Sequence, residues 1–225
     1  MSLLEGNIMG LIDKILNYHK SKPIRSFRDY NESGFHSVIE LLLSSSSKTF
    51  ISEMRLITEY KKKSHKSHKY GFVDLFLFDN ISGDNLVLEI KLFNLIGLYC
   101  GIKGKWIKTP DHKELEKLNE LLSTESEEKL LNRNYMHWCK DNYCYNIVKV
   151  QQLIDDGNDQ LNKYLSVVKN GNALIQLEKL GILDERIRIE VGSSYMRGFL
   201  IASFGSQKIL TKKSKVRRIN YKFCK

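Results

Sequence analysis

The chain has 225 residues, 42% of them hydrophobic and only two of them proline, so we expect one globular domain with a sizeable core and not a disordered or linker-rich protein. Its formal charge of +10 favours a polyanionic partner such as nucleic acid, although many basic proteins bind nothing specific. No pairing of the four cysteines has the spacing of a structural zinc site, so reduced thiols are expected. The four are Cys100, Cys139, Cys144 and Cys224.

Residues 1–30 are expected to form an N-terminal helix and a linker. The segment 7–18 (NIMGLIDKILNY) has an amphipathic pattern, is interrupted by Asp13 and Lys14, and is too short to span a bilayer. Pro23 marks the linker that follows. An intracellular protein without a membrane partner is therefore expected, with binding of this helix to a membrane surface as the alternative.

A second helix is predicted to begin at Asn31, whose side chain is suited to cap a helix N-terminus. Phe35, Ile39 and Leu42 form its apolar stripe, at the spacing of a helix with one buried face. Glu32 precedes Phe35 by three residues and therefore lies on the same face. An acidic residue is thus predicted to point towards the core side.

The segment 50–60 is predicted to be a strand, and the basic tract 61–69 (KKKSHKSHK) separates it from the next one. The tract contains Lys61, Lys62 and Lys63. It is interpreted either as a solvated loop or as a loop that contacts nucleic-acid phosphates.

The segment YGFVDLFLFDNISGDNLVLEIKL is predicted to be a β-hairpin with strands at 70–78 and 86–93. Alternation along the strands places Glu89 and Lys91 on one face, and folding about the turn brings Asp74 opposite Glu89. The face is otherwise apolar. Charges there are costly unless they are paired, hydrogen-bonded or bound to a metal.

Beyond the hairpin, residues 94–148 are predicted to be a largely helical insertion that shapes access to a substrate. A longer helix follows at 150–169. Gln160 and Tyr164 are four residues apart on it and share one face.

Three strand candidates follow, at 186–191, 197–204 and 207–210, and complete a domain that spans residues 31–210. Residues 211–225 are predicted to be a basic tail that serves as a nucleic-acid arm or a nuclear-import signal, or that is simply basic. The candidate contacts to nucleic acid in it are Lys212, Lys213, Arg217 and Arg218.

The order of these segments resembles the PD-(D/E)XK nuclease superfamily. Asp74 stands where that superfamily has its first acidic residue, and Glu89-Ile90-Lys91 matches its E-x-K strand. The resemblance covers residues 31–205 without the insertion, and it implies an α/β restriction-endonuclease-like fold in which helices flank a mixed sheet of four or five strands. Two further matches are the Q-x-x-x-Y helix of the RecB-like branch, at Gln160 to Tyr164, and the NE-x-x-F-H helix of AAA-ATPase-associated and crinkler-type members, at Asn31 to His36.

The chain also departs from the superfamily pattern. Phe72 occupies a position where related branches often have arginine, and no proline precedes Asp74. The long insertion is a third difference. None of the three removes a residue that metal chemistry needs.

The resemblance implies a nuclease that hydrolyses phosphodiester bonds, with DNA as the expected substrate and Mg²⁺ as the cofactor, for which Mn²⁺ can substitute. Mg²⁺ prefers oxygen ligands, which Asp74, Glu89 and the backbone carbonyl of Ile90 can supply. Glu32 is expected to hold a metal water or a second ion. Lys91 is expected to position the attacking water or stabilise the transition state. Gln160 would orient that water or the lysine, and Tyr164 would pack or contact a phosphate.

Each of these residues also has an ordinary structural interpretation. Glu89 and Lys91 could be an ion pair on a solvent-facing strand, and Glu32 could be an acid that favours the positive end of its helix. A nuclease fold that binds nucleic acid without turnover is the main alternative function. An effector that acts through protein contacts is another.

Overall fold

The computed structural model describes residues 3–27, 30–44, 49–60, 68–79, 82–139 and 142–224. Its helices are α1 (Met9–Lys20), α2 (Glu32–Ser44), α3 (Leu95–Lys103), α4 (His112–Thr124), α5 (Glu127–Leu131) and α6 (Val150–Val168), with short 3-10 turns at Ile24–Phe27 and Ile175–Leu177. Its strands are β1 (Thr49–Tyr60), β2 (His68–Phe78), β3 (Asp84–Phe93), β4 (Asn134–Cys139), β5 (Cys144–Lys149), β6 (Gly181–Ile182), β7 (Arg188–Phe204), β8 (Lys208–Lys213) and β9 (Arg217–Cys224).

The main sheet has seven strands in the order β6-β1-β2-β3-β7-β8, and β9 also pairs with β7. The pairing of β3 with β7 is parallel and the other pairings are antiparallel, so the sheet is mixed. The predicted α/β class is confirmed. The expected count of four or five strands is too low, because β6, a two-residue strand, and the C-terminal segment both join the sheet.

Two apolar layers cover the two faces of the sheet. On the first side, called here the α6 side, residues of α6 such as Ile154, Leu161 and Leu165 pack with Val87 of β3 and Leu200 of β7. On the other side, called the α2 side, helices α1 and α2 pack against the alternate residues of the same strands. That layer includes Ile15, Phe35, Ile39, Leu86, Leu88, Ile90 and Ile201.

The N-terminal helix is part of this architecture, since its buried residues Leu11, Ile12 and Ile15 pack in the α2-side layer. The helix is amphipathic, as the spacing of its apolar residues predicts, because the residues on its other face are exposed to solvent. No helix among the described residues is long and apolar enough to cross a membrane.

Residues 94–148 contain more than helices. They form α3, α4 and α5, and then the strand β4, whose partner β5 makes a separate two-stranded sheet. Gly101 permits the close approach of α3 to β4, because a Cβ there would lie 2.2 Å from the carbonyl oxygen of Asn134. The expected helical insertion is therefore a mixed one.

The segment expected to be a basic tail, residues 211–225, contributes to the sheet. Residues up to Lys213 belong to β8, and β9 runs antiparallel to the first half of β7. The pattern RRINYKFC alternates, and its Ile219, Tyr221 and Phe223 are buried while the intervening residues are more exposed. The candidate strands at 186–191 and 197–204 are two parts of the single strand β7.

Candidate active site

The predicted hairpin forms, and its two strands separate at the candidate site. The ladder between β2 and β3 runs from the pair Phe78–Asn85 to the pair Leu75–Leu88. One residue further, the side chain of Asp74 takes the place of a backbone partner, and its Oδ2 accepts a hydrogen bond of 2.6 Å from the N–H of Ile90. Because the N–H and C=O of a strand residue point to the same neighbouring strand, the Ile90 carbonyl also points towards β2.

Both carboxyl groups of the hairpin are buried. Glu89 has no exposed surface and Asp74 is 8% exposed. Burial raises the pKa of each carboxyl group well above its usual range, and the negative charge of Asp74 raises the pKa of Glu89 further. Glu89 Oε2 has no hydrogen-bond partner in the described part of the chain. The two groups thus form an acidic pair that a cation would stabilise in its ionised form.

Lys91 supplies one positive charge beside this pair. Its Nζ lies 2.8 Å from Glu89 Oε1 and 3.9 Å from Glu32 Oε1. Burial lowers the pKa of Lys91, but the carboxylates, Glu89 first, outweigh burial and raise the pKa overall. The ammonium group is therefore held in its charged form and connects the hairpin to α2.

Helix α2 places two side chains at the site. Asn31 caps it as predicted, with its Oδ1 accepting a hydrogen bond of 2.8 Å from the N–H of Gly34. Glu32, in the first turn, reaches Lys91. One turn further, His36 Nε2 lies 3.7 Å from Asp74 Oδ2, and the other ring nitrogen lies 3.9 Å from Glu53 Oε1. Sequence reasoning gave His36 no part in the chemistry.

Glu53 reaches the site through an irregularity in β1. Ser52 pairs with Leu75 and Met54 pairs with Val73, which leaves Glu53 across from Asp74 with a φ of +52°. A positive φ is uncommon for a residue other than glycine. The guanidinium of Arg186 holds this backbone in place by donating to the carbonyls of residues 52 and 53.

The irregularity changes the predicted alternation. The α6-side layer contains Ile51 together with Met54, and Val73 together with Phe76, although the members of each pair are three positions apart and strict alternation would place them on opposite faces. Strict alternation along β2 therefore fails at Asp74. Phe72, at the position where related sequences often have arginine, is 44% exposed and lines a cleft with Glu53, Arg55 and Arg186.

Helix α6 approaches from the other side of the sheet. Gly157 faces β3 and β7, and a Cβ on it would lie 3.2 Å from Leu200 and 3.6 Å from the Cγ of Lys91. One turn later, the side-chain amide of Gln160 donates a hydrogen bond of 3.1 Å to the hydroxyl of Tyr164. Burial, and after it the charge of Glu89, raises the pKa of Tyr164.

A cleft of about 220 Å³ opens between α6 and the β4–β5 hairpin. Lys91 and Gln160 line it from the sheet and α6, and Tyr135 and His137 line it from β4. The insertion thus forms one wall of the space in front of the lysine.

The arrangement can hold a divalent cation. Ligand atoms of His36, Glu53 and Asp74 all lie within 4.8 Å of one another. The unpartnered oxygen of Glu89 and the direction of the Ile90 carbonyl add two further oxygens on the Asp74 side. Carboxylate and carbonyl oxygens suit Mg²⁺ and Mn²⁺, and an imidazole nitrogen suits transition metals such as zinc and iron.

Apart from Tyr164, the predicted contacts to nucleic acid are lysines and arginines in other parts of the protein. Lys61, Lys62 and Lys63 lie outside the described residues. The remaining four have contacts elsewhere in the fold: Lys212 with Glu127 on α5, Lys213 with the ring of Phe199, Arg217 with Ser166 on α6, and Arg218 with Ser193.

Comparisons with protein-family models, with curated proteins and with solved structures found no match for this chain.

Proposed function

We propose that the protein is a metal-dependent nuclease with a restriction-endonuclease-like fold, and that it hydrolyses phosphodiester bonds with DNA as its expected substrate. The observation that carries the proposal is the convergence of Asp74, Glu89 and Lys91 at the point where β2 and β3 separate. The order of the chain's motifs, in which these residues stand, supplies the resemblance to PD-(D/E)XK nucleases.

The burial of these charges supports a functional site over a structural one. Apolar side chains of similar volume often stabilise a fold as well as a buried ion pair does, or better. Here two carboxyl groups with raised pKa values lie side by side, which costs folding free energy. Sites of catalysis are where such costs are commonly found.

Asp74, Glu89 and the Ile90 carbonyl are the groups that would hold Mg²⁺, with His36 and Glu53 next to Asp74 as further ligands. When bound, the ion supplies Lewis acidity to the scissile phosphate and lowers the pKa of a bound water. Glu32 is proposed to orient water or a second ion from α2.

Lys91 is proposed to act on the charge that builds up on the phosphate. Its ammonium is positioned by Glu89, faces the cleft and stays protonated because its pKa is raised. A fixed cation at the reacting group stabilises the transition state more than the ground state. Gln160, on the opposite wall, is proposed to orient the attacking water through its amide.

The test is cleavage of DNA and RNA by the purified protein with Mg²⁺ or Mn²⁺ and with EDTA. We expect metal-dependent cleavage, and a loss of about a hundredfold or more for Lys91→Ala, because one preorganised charge at a transition state contributes that much. Lys222→Ala on β9 is the matched control, since it removes an exposed lysine. Full activity of Lys91→Ala, or activity that EDTA does not change, would refute the proposed site.

The same assays distinguish turnover from binding. If no DNA or RNA is cleaved with any metal but nucleic acid is bound in a salt-dependent way, the nuclease proposal is wrong and the protein is a binding module.

A further inference from the structure

The insertion carries a cluster of aromatic rings at the protein surface. Trp106, in the segment between α3 and α4, stacks on Tyr145 of β5 with ring centroids 4.2 Å apart and planes inclined by 13°. Trp138 of β4 meets the same tyrosine edge-on, with centroids 5.1 Å apart. The three rings are 37% to 48% exposed, although they pack on one another. We call Trp106, Trp138 and Tyr145 the aromatic platform.

Further apolar surface continues the platform along β5. Tyr143, just before the strand, is 81% exposed, and Ile147 on it is 44% exposed. Side chains two residues apart on a strand share a face, so Ile147 lies on the face of Tyr145. Contiguous exposed apolar surface of this kind marks a binding surface more often than a solvated one.

The positive charges beside the platform indicate which kind of partner it would bind. Lys105 and Lys108 flank Trp106 in the chain and are exposed. No ion pair joins either lysine to another residue in the described ranges. Exposed rings next to unpaired cations fit a polyanion that carries planar groups, which is the chemistry of an unpaired nucleic-acid strand.

The platform and the candidate active site share strand β4 but lie on opposite faces of the β4–β5 hairpin. His137, the residue before Trp138 in β4, lines the cleft together with Lys91 and Gln160. Successive side chains of a strand point to opposite faces, so the side chains of His137 and Trp138 point away from each other. A strand of nucleic acid on the platform would therefore have to pass around an edge of this two-stranded sheet to reach the cleft.

We propose that the aromatic platform stacks the bases of single-stranded nucleic acid. The proposal rests on the proposed nuclease function for the fate of the strand, but binding to the platform does not require cleavage. In this proposal the insertion selects single strands over duplex, because bases inside a duplex are stacked on their neighbours and have no free face to stack on a ring.

The two tryptophans of the platform are the only two in the chain, so intrinsic fluorescence reports on it directly. We would titrate the unchanged 225-residue chain with a single-stranded oligothymidylate in EDTA, where metal-dependent cleavage cannot proceed. Stacking of bases is expected to quench most of the tryptophan fluorescence, and the same length of duplex is expected to quench far less. Binding without quenching would overturn the proposal.

Variants separate the platform from general electrostatic binding. Trp138→Ala and Tyr145→Ala are each expected to weaken the binding of a labelled single strand by about fivefold to a hundredfold, and Trp138→Phe is expected to restore most of it. Tyr195→Ala is the matched control, because this tyrosine on β7 is 49% exposed and lies outside the platform. Trp106→Ala, in a connecting segment, tests the same surface if a strand variant unfolds.

The result also separates this inference from the nuclease proposal. If the platform variants bind and cleave single strands like the unchanged protein, the platform inference is wrong and the nuclease proposal stands. If single strands quench the tryptophans but no metal supports cleavage, the platform inference stands and the nuclease proposal is wrong. If Trp138→Ala loses both the binding and the cleavage of single strands, and Trp138→Phe restores them, the result supports the platform inference and the nuclease proposal together.

Discussion

Strand β3 presents two different surfaces to the two sides of the sheet. On the α2 side, Leu86, Leu88 and Ile90 are fully buried among apolar side chains of α1 and α2. On the α6 side, Glu89 is equally buried but carries a carboxyl group whose pKa is raised by burial, and Lys91 follows it at the edge of the cleft. The same strand thus stabilises the fold with its apolar residues and gives up stability at Glu89 and Lys91.

The largest expected effect is on activity, at the charged side. Glu89→Gln keeps the shape of the side chain and removes its charge, so we expect cleavage to fall by about a hundredfold or more. The free energy of unfolding should stay the same or rise, because burial and the charge of Asp74 disfavour the ionised form of Glu89 more than Lys91 favours it, so that its pKa is raised. Metal-dependent cleavage and denaturant unfolding measure the two effects.

The exposed Glu120 on α4 provides the control, since Glu120→Gln makes the same chemical change away from the cleft. A Glu89→Gln protein that cleaves normally, or that unfolds several kcal/mol more easily, would contradict the contrast between the two sides of β3.

The next effect is on stability, at the apolar side. Leu88→Ala removes a fully buried side chain and is expected to lower the free energy of unfolding by about 2–5 kcal/mol, through lost burial and the cavity left behind. Urea denaturation measures it, and the cleavage rate per folded molecule should change little. Leu41→Ala on α2, where the leucine is 65% exposed, should cost less than about 0.5 kcal/mol.

A smaller effect concerns pH on the same side. Burial among the rings of Phe27, Tyr30 and Phe35 lowers the pKa of His19 from 6.5 to about 4. The folded protein therefore binds the proton less tightly than the unfolded chain, so this contribution to stability is complete above pH 6.5 and is lost as the pH falls towards 4.

Converting the shift gives a loss of roughly 3 kcal/mol for His19 across that interval. His19→Leu should lack it, so the difference in unfolding free energy between the variant and the unchanged protein should grow as the pH falls. His112→Gln, at an exposed position on α4, is the control for histidine titration in general. Parallel pH profiles for His19→Leu and the unchanged protein would show that His19 is not protonated on unfolding.

The smallest effect is expected at the rim of the sheet. Lys212 on β8 forms an exposed ion pair with Glu127, so Lys212→Ala should change the unfolding free energy by less than about 1 kcal/mol. If Lys212 contacts a phosphate, the slope of log affinity against log salt concentration should fall by about 1. An unchanged slope would remove Lys212 from the predicted contacts.

Much of the fold could be predicted because local rules decide it. Asn31 caps α2, the alternation in 70–78 and 86–93 gives β2 and β3, and the turn between them sets the register that brings Asp74 to Glu89. The pairing of Gln160 with Tyr164 likewise follows from helical spacing. These features depend on residues that are close in the chain.

The sequence by itself determined the hairpin, its three charged residues and the helices that carry Glu32 and Gln160, because periodicity and capping act over a few residues. Only the tertiary structure brought His36 and Glu53 to Asp74, since the positive φ of Glu53 in β1 and the packing of α2 decide that contact. It also brought the basic C-terminal segment into the sheet and placed Trp106 on Tyr145 of the β4–β5 hairpin, which completes the aromatic platform. Such contacts join residues far apart in sequence, and no local pattern specifies them.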